Sequence, residues 1–196
     1  SFPLDWRRRL HDELPRSTGV PDVTEVRISL VVIAHNEERF IGECLDSILK
    51  QEFRDLEVIA IDDCSSDATP GLLADYAEHD SRLRFISNTR TQGAGRSRNI
   101  GIEQARGAYL MFVDGDDYLV EGCLADIARQ LETEQPEVLV FNHRLVYEKG
   151  LVHEARQRGI LEQAASLQGS EKKRCLLRQL QISCNKEYRA DFLRDH

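Results

Sequence analysis

From Arg27 to Phe141, short unbroken apolar runs alternate with longer stretches in which apolar residues recur every three or four positions. The unbroken runs are Ile28 to Ala34 (ISLVVIA), Leu56 to Ile61 (LEVIAI), Leu83 to Ile86, Tyr109 to Val113 (YLMFV) and Val138 to Phe141. They are rich in branched residues and read as strands buried on both faces, the pattern of a parallel sheet. Helical spacing covers Glu37 to Lys50, Ala68 to Glu78, Ala94 to Ala105 and Val120 to Glu132. Asp67 is placed to cap the second of these helices. Strand and helix in alternation predict an α/β fold, a mostly parallel sheet with helices on both faces.

The rhythm changes after Phe141. Leu145 to Gln157 reads as a hairpin turning at Lys149-Gly150, and Glu171 to Leu180 as a helix. The predicted organisation is a leader over 1–26 with a short helix, a ligand-binding core over 27–142, and the start of a further region over 143–196.

In such sheets ligands bind outside the carboxyl ends of the strands. The residues there are polar. His35, Asn36, Glu37 and Glu38 follow the first strand, and Asp62, Asp63, Cys64, Ser65, Ser66 and Asp67 the second. Asn88, Thr89 and Arg90, then Gly93-Ala94-Gly95, follow the third; Asp114, Gly115, Asp116 and Asp117 follow the fourth. Carboxylates on one rim repel one another, and a divalent cation with oxygen ligands relieves that repulsion. Asp114 and Asp116 are the candidate Mn2+ or Mg2+ ligands, with Gly115 letting the backbone approach the ligand closely. A lone Asp-x-Asp is more often a turn that caps the next helix. Behind a buried strand, with two other polar exits beside it, the ligand reading takes precedence. At the second exit, Asp67 caps and either Asp62 or Asp63 accepts from a ribose hydroxyl or a base. Arg98, near the start of a helix, is a candidate for phosphate or base; Arg96 is as well explained as a surface residue. His35 is given no chemical role.

The formal net charge of −8 argues against a nucleic-acid partner. An anionic nucleotide remains compatible when a cation lies between. The five cysteines form no CxxC pair, so neither a zinc site nor a redox pair is expected, and the odd count fits a reducing cytoplasm. No apolar stretch is long enough to span a bilayer. Trp6 with Arg7-Arg8-Arg9 allows peripheral contact with the inner face of a membrane, although a solvated helix with one docked Trp explains them more simply.

Four segments resemble the inverting glycosyltransferases of family 2, which have the GT-A fold: SLVVIAHNEERFIGECLDSIL, LEVIAIDDCSSDAT, NTRTQGAGRSRNIGI and ARGAYLMFVDGDD. They occur in the family's order from Arg27 to Asp117. NKEYRADFL (Asn185 to Leu193) is similar to a segment of bacterial members that build cell-wall or capsular polymers, with Cys184 where relatives often have tryptophan. The resemblance implies that Ala34, Glu37, Asp62 and Asp63 hold the nucleoside. It implies that Arg98 helps with base and phosphates, and that Asp114 and Asp116 hold ribose and metal. The implied donor is a nucleoside-diphosphate sugar, usually UDP-linked; the implied acceptor is a cell-surface polysaccharide, teichoic-acid-like or lipid-linked molecule. The implied catalytic base follows a glutamate beyond His196. Asp191 and Asp195 are wrongly placed for it, and the chain is expected to be a piece lacking the rest of the acceptor side.

Rival readings fit less well. A haloacid dehalogenase-type phosphotransferase wants a small residue where Tyr118 stands, and wants its motif on the first strand. A dinucleotide-dependent dehydrogenase wants a glycine fingerprint that this sequence lacks. A non-catalytic nucleotide-sugar-binding domain would not need aspartates at several rim positions.

Overall fold

A computed structural model describes residues 28–141, 144–146, 152–154 and 186–195. Four parallel strands form its centre: β1 (Ile28–Ala34), β2 (Leu56–Asp62), β3 (Leu83–Ser87) and β4 (Tyr109–Asp114). β5 (Val138–Val140) and β8 (Lys186–Arg189) complete a six-stranded sheet of order β3-β2-β1-β4-β8-β5. β8 is antiparallel to both of its neighbours. β6 (Arg144–Val146) and β7 (Val152–Glu154) form the expected hairpin. Its turn, the predicted helix over Glu171–Leu180 and the leader over 1–26 lie outside the described residues.

The apolar runs account for the sheet. Every residue of β1 and β2 is buried, because helices cover both faces. Side chains alternate between faces along a strand. Ile28, Leu30, Val32 and Ala34 of β1 pack in one layer with α1 (Ile41–Leu49), α2 (Thr69–His79) and α4 (Cys123–Glu134). Val31 and Ile33 face the opposite layer, with α3 (Ala94–Gln104) and α5 (Ala190–Asp195).

Helix starts differ from those the spacing predicts. α1 begins at Ile41, not Glu37: residues 37–40 form a turn in which the Glu37 and Glu38 amides bond to Thr69 and Asp67 and the Phe40 amide to the Glu37 carbonyl. Phe40 fits the apolar spacing yet is 37% exposed. α4 begins at Cys123, not Val120: Val120 is 64% exposed, and Gly122 at φ 79° ends the loop before the helix. The aspartates of the Asp-Gly-Asp-Asp segment do not cap it, since no side-chain hydrogen bond caps α4.

At the opposite end of the sheet from the polar rim, a buried network fixes the α3–β4 turn. Glu57 accepts from Ser29 Oγ at 2.7 Å, from Arg106 N–H at 2.6 Å and from Arg84 Nη2 at 2.8 Å. Ser29 Oγ in turn accepts from Gly107 N–H at 2.8 Å. Ser29→Ala is expected to lower stability by about 1–2 kcal/mol in chemical denaturation, because it leaves the buried Gly107 amide without an acceptor. A loss no greater than that of an exposed serine would show that the network does not hold the turn.

Candidate functional site

The strand ends are level. Ala34 lies opposite Asp62, Ile33 opposite Asp114, and Asp62 opposite Ser87. The four polar exits therefore share one rim.

The loops after β1 and β2 are stitched together reciprocally. Asn36 N–H donates to Ser65 Oγ at 2.9 Å, and Asn36 Oδ1 accepts from Ser66 N–H at 2.8 Å. Glu37 N–H donates to Thr69 Oγ1 at 2.8 Å. Glu38 N–H donates to Asp67 Oδ2 at 3.1 Å, while Glu38 Oε2 accepts from Ala68 N–H at 3.0 Å. Asn36 and Cys64, at φ 59° and 62°, adopt the left-handed conformation that these bends require. Asp67 Oδ1 accepts from Thr69 N–H at 3.0 Å, so Asp67 does serve the start of α2, from one position before the residue that flanks the helix.

His35 belongs to the same frame. Its Nδ1 lies 2.9 Å from the Asp63 carbonyl, which can only accept, so Nδ1 carries the proton. Nε2 then accepts from the Asn36 amide at 3.1 Å.

Asp62 and Asp63 are both buried and both have internal partners. Asp62 accepts from Ser65 N–H at 3.1 Å and Ser87 Oγ at 3.0 Å. Asp63 accepts from Asn88 Nδ2 at 2.9 Å, Gln92 N–H at 2.8 Å and Gly93 N–H at 2.7 Å. Burial pushes the Asp63 carboxyl up, but these donors outweigh it and hold the group below the usual carboxylate range. Asp63 thus shapes the loop leading into α3. Sequence reasoning missed this use, although an asparagine and a glycine flanking a polar loop were the available signal. Arg96 is exposed and lines a shallow depression with Arg90, Thr91 and Gln92.

The tip of β4 packs against the β1 exit. Gly115 N–H donates to the Ile33 carbonyl at 2.8 Å. A Cβ at Gly115 would stand 3.1 Å from that oxygen and 3.2 Å from both Ala34 Cβ and Glu37 Cγ. Ala34, Glu37 and Gly115 are therefore in mutual reach. Arg98 extends from α3 to Asp114, with Nη2 at 2.9 Å from Oδ1. Its Nε is buried without a partner. Asp116 is exposed, and no hydrogen bond or ion pair holds it among the described residues.

The negative field here is strong. Partial burial raises the Glu37 carboxyl, and the charges of Asp116, Asp67 and, least of these, Asp114 add to it against an opposing effect of His35. Asp117 is pushed up to about 6 by the protein around it and by Asp116 and Asp114. Burial and the same carboxylates push the Cys44 thiol far above its ordinary range, and its Sγ donates to the Asp114 carbonyl at 3.7 Å. Among the described residues no three His, Cys, Asp or Glu side chains converge as a closed metal cage. The donor set is open: one carboxylate without a partner, and a second shared with Arg98. It fits a hard cation that takes its remaining ligands from phosphate and water.

The chain is 38% identical over 112 residues to the uncharacterized glycosyltransferase EpsJ of Bacillus subtilis, which covers 57% of this chain and 32% of EpsJ. It is 32% identical over 128 residues to the poly(ribitol-phosphate) beta-N-acetylglucosaminyltransferase TarS of Staphylococcus aureus, covering 64% of this chain and 22% of TarS. The crystal structure of S. aureus TarS 1-349 in complex with UDP-GlcNAc superposes with a TM-score of 0.67 at 27% identity, over 87% of this chain and 47% of that one. The chain thus spans well under half the length of these curated relatives. The profile of glycosyl transferase family 2 matches residues 29–193, the span from β1 into α5, and the chain belongs to that family.

Proposed function

We propose that this chain holds the nucleoside-diphosphate sugar, UDP-linked, for a metal-dependent inverting glycosyltransferase. The acceptor in this reading is a cell-surface polysaccharide, teichoic-acid-like or lipid-linked saccharide, and the reaction runs in the cytoplasm or at the inner face of the membrane. The carrying observation is the crowding of carboxylates at this exit, with exposed Asp116 beside Asp114, itself held by Arg98, on a rim where ligands of such sheets bind. The UDP-GlcNAc bound in the TarS structure supports a UDP-linked donor.

Asp116 and Asp114 would hold a divalent cation, which supplies charge neutralisation at the leaving diphosphate. The rest follows from the chain's own residues. Gly115 lets the tip of β4 pack directly against Ile33, Ala34 and Glu37, which sets Asp114 and Asp116 at the β1 exit. Arg98 brings positive charge to the rim beside the phosphates while its Nη2 holds Asp114 in place. Asp63 keeps one lightly used oxygen, Oδ2, for a nucleoside donor group, and Asp62 and Ala34 form the wall beside it. The stitched loops fix Glu37 against Gly115. Inversion requires a base to take the acceptor's proton, and none of the described rim carboxylates is assigned that step.

Calorimetry with UDP, with and without Mn2+, tests the reading. The expected result is binding that appears only with the metal. Binding indifferent to metal would remove the cation from the reading, and no binding would favour a domain that keeps the fold alone; robust hydrolysis of an aryl phosphate would favour a phosphotransferase.

A further inference from the structure

β8 carries a side chain that the proposed reaction does not use. Glu187 is fully buried, and neither carboxyl oxygen has a hydrogen-bond partner. Its register partners are Met111 of β4 and Leu139 of β5, so it stands on the face of the sheet that α4 covers. The ionisable groups close enough to feel it are the Cys123 thiol on α4, itself influenced by Asp126, and the Tyr109 phenol on β4. Neither supplies positive charge, and no cation offsets its burial among the described residues. On its own strand, Arg189 pairs instead with Asp191 at 2.6 Å and Glu137 at 3.5 Å.

A bare carboxylate among apolar groups is strongly unfavourable, whereas the uncharged acid is tolerated. We propose that Glu187 is a proton-dependent latch: β8 stays seated between β4 and β5 while this carboxyl is neutral, and is released when it ionises. Burial alone pushes the group up to about 8 from an ordinary 4.5. The folded form therefore keeps a proton that the opened form has lost, between those two values. Seating is favoured at acid pH and weakens as pH rises, completing its loss above the folded value. β8 is the strand that joins β5 to β4, and Met111, its contact on β4, lies three residues before Asp114. Alkaline pH should thus loosen the support of the acidic tip.

Amide hydrogen exchange of residues 186–193, corrected for the intrinsic pH dependence of exchange, reads the seating directly. The opening equilibrium of the wild-type chain should rise roughly 50-fold between pH 6 and pH 8, and that of Glu187→Gln should change less than about twofold. Infrared spectroscopy should show a protonated-carboxyl band at neutral pH that Glu187→Gln removes. Should the glutamine variant not fold, Glu187→Leu provides the same comparison, and the wild-type spectrum and exchange profile stand alone. Equal pH dependence in wild type and variant, or a wild-type carboxyl already ionised at pH 6, would overturn the latch.

Discussion

Asp116→Ala is expected to weaken UDP binding in the presence of Mn2+ by about 100-fold or more, with no change in its absence. The magnitude follows from removing a charged group that meets a diphosphate through a cation, a loss on the order of 3 kcal/mol. The same substitution should leave the melting temperature unchanged or slightly raised, since among the described residues Asp116 makes no hydrogen bond or ion pair and only repels its neighbours. It should also lower the titration points of Glu37 and Asp117, both held up in part by its charge. Calorimetry, a thermal melt and carboxyl NMR check the three outcomes. Undiminished metal-dependent binding would remove Asp116 from the metal site.

Gly101→Ala should produce the largest loss of stability. Gly101 lies where α3 crosses β1, and a Cβ there would stand 2.2 Å from Val31 Cγ1 and 2.8 Å from Cγ2. Val31 is fully buried and branched at Cβ, so its χ1 is stiff and it cannot turn away cheaply. Overpacking of this kind costs about 3 kcal/mol, the upper part of the usual range. The second mutation Val31→Ala should recover a good part of the loss, because it removes both methyl groups in conflict. A double-mutant cycle in denaturant measures that coupling. Additive losses would mean that α3 shifts as a whole instead of clashing at this point. Such a shift would also carry Arg98 away from Asp114, so UDP affinity provides a second readout.

The central sheet was legible because β1, β2 and β4 are buried on both faces and so consist of unbroken apolar runs. β8 left no such trace. Lys186-Glu187-Tyr188-Arg189 reads as a polar segment, yet it is an inner strand with Glu187 wholly buried. Helix starts were misread wherever an apolar residue is exposed, as at Phe40 and Val120, because spacing counts residue types and not burial. At the rim, the exits of the four strands could be placed from the pattern of elements alone. What each side chain does there could not, because it depends on contacts across 16 or more positions. The Arg98–Asp114 pair, which requires α3 to cross above β1, and the capture of the Gln92 and Gly93 amides by Asp63 are two such cases.

The reciprocal stitching of the β1 and β2 exits bears on how such a chain could be re-engineered. Each loop supplies both donors and acceptors to the other, so neither has a complete set of partners by itself. A chimaera that imports only one of them from a relative would strand amides on both sides of the seam. Residues 35–40 and 63–69 therefore form a single unit of inheritance, to be transplanted together or left in place.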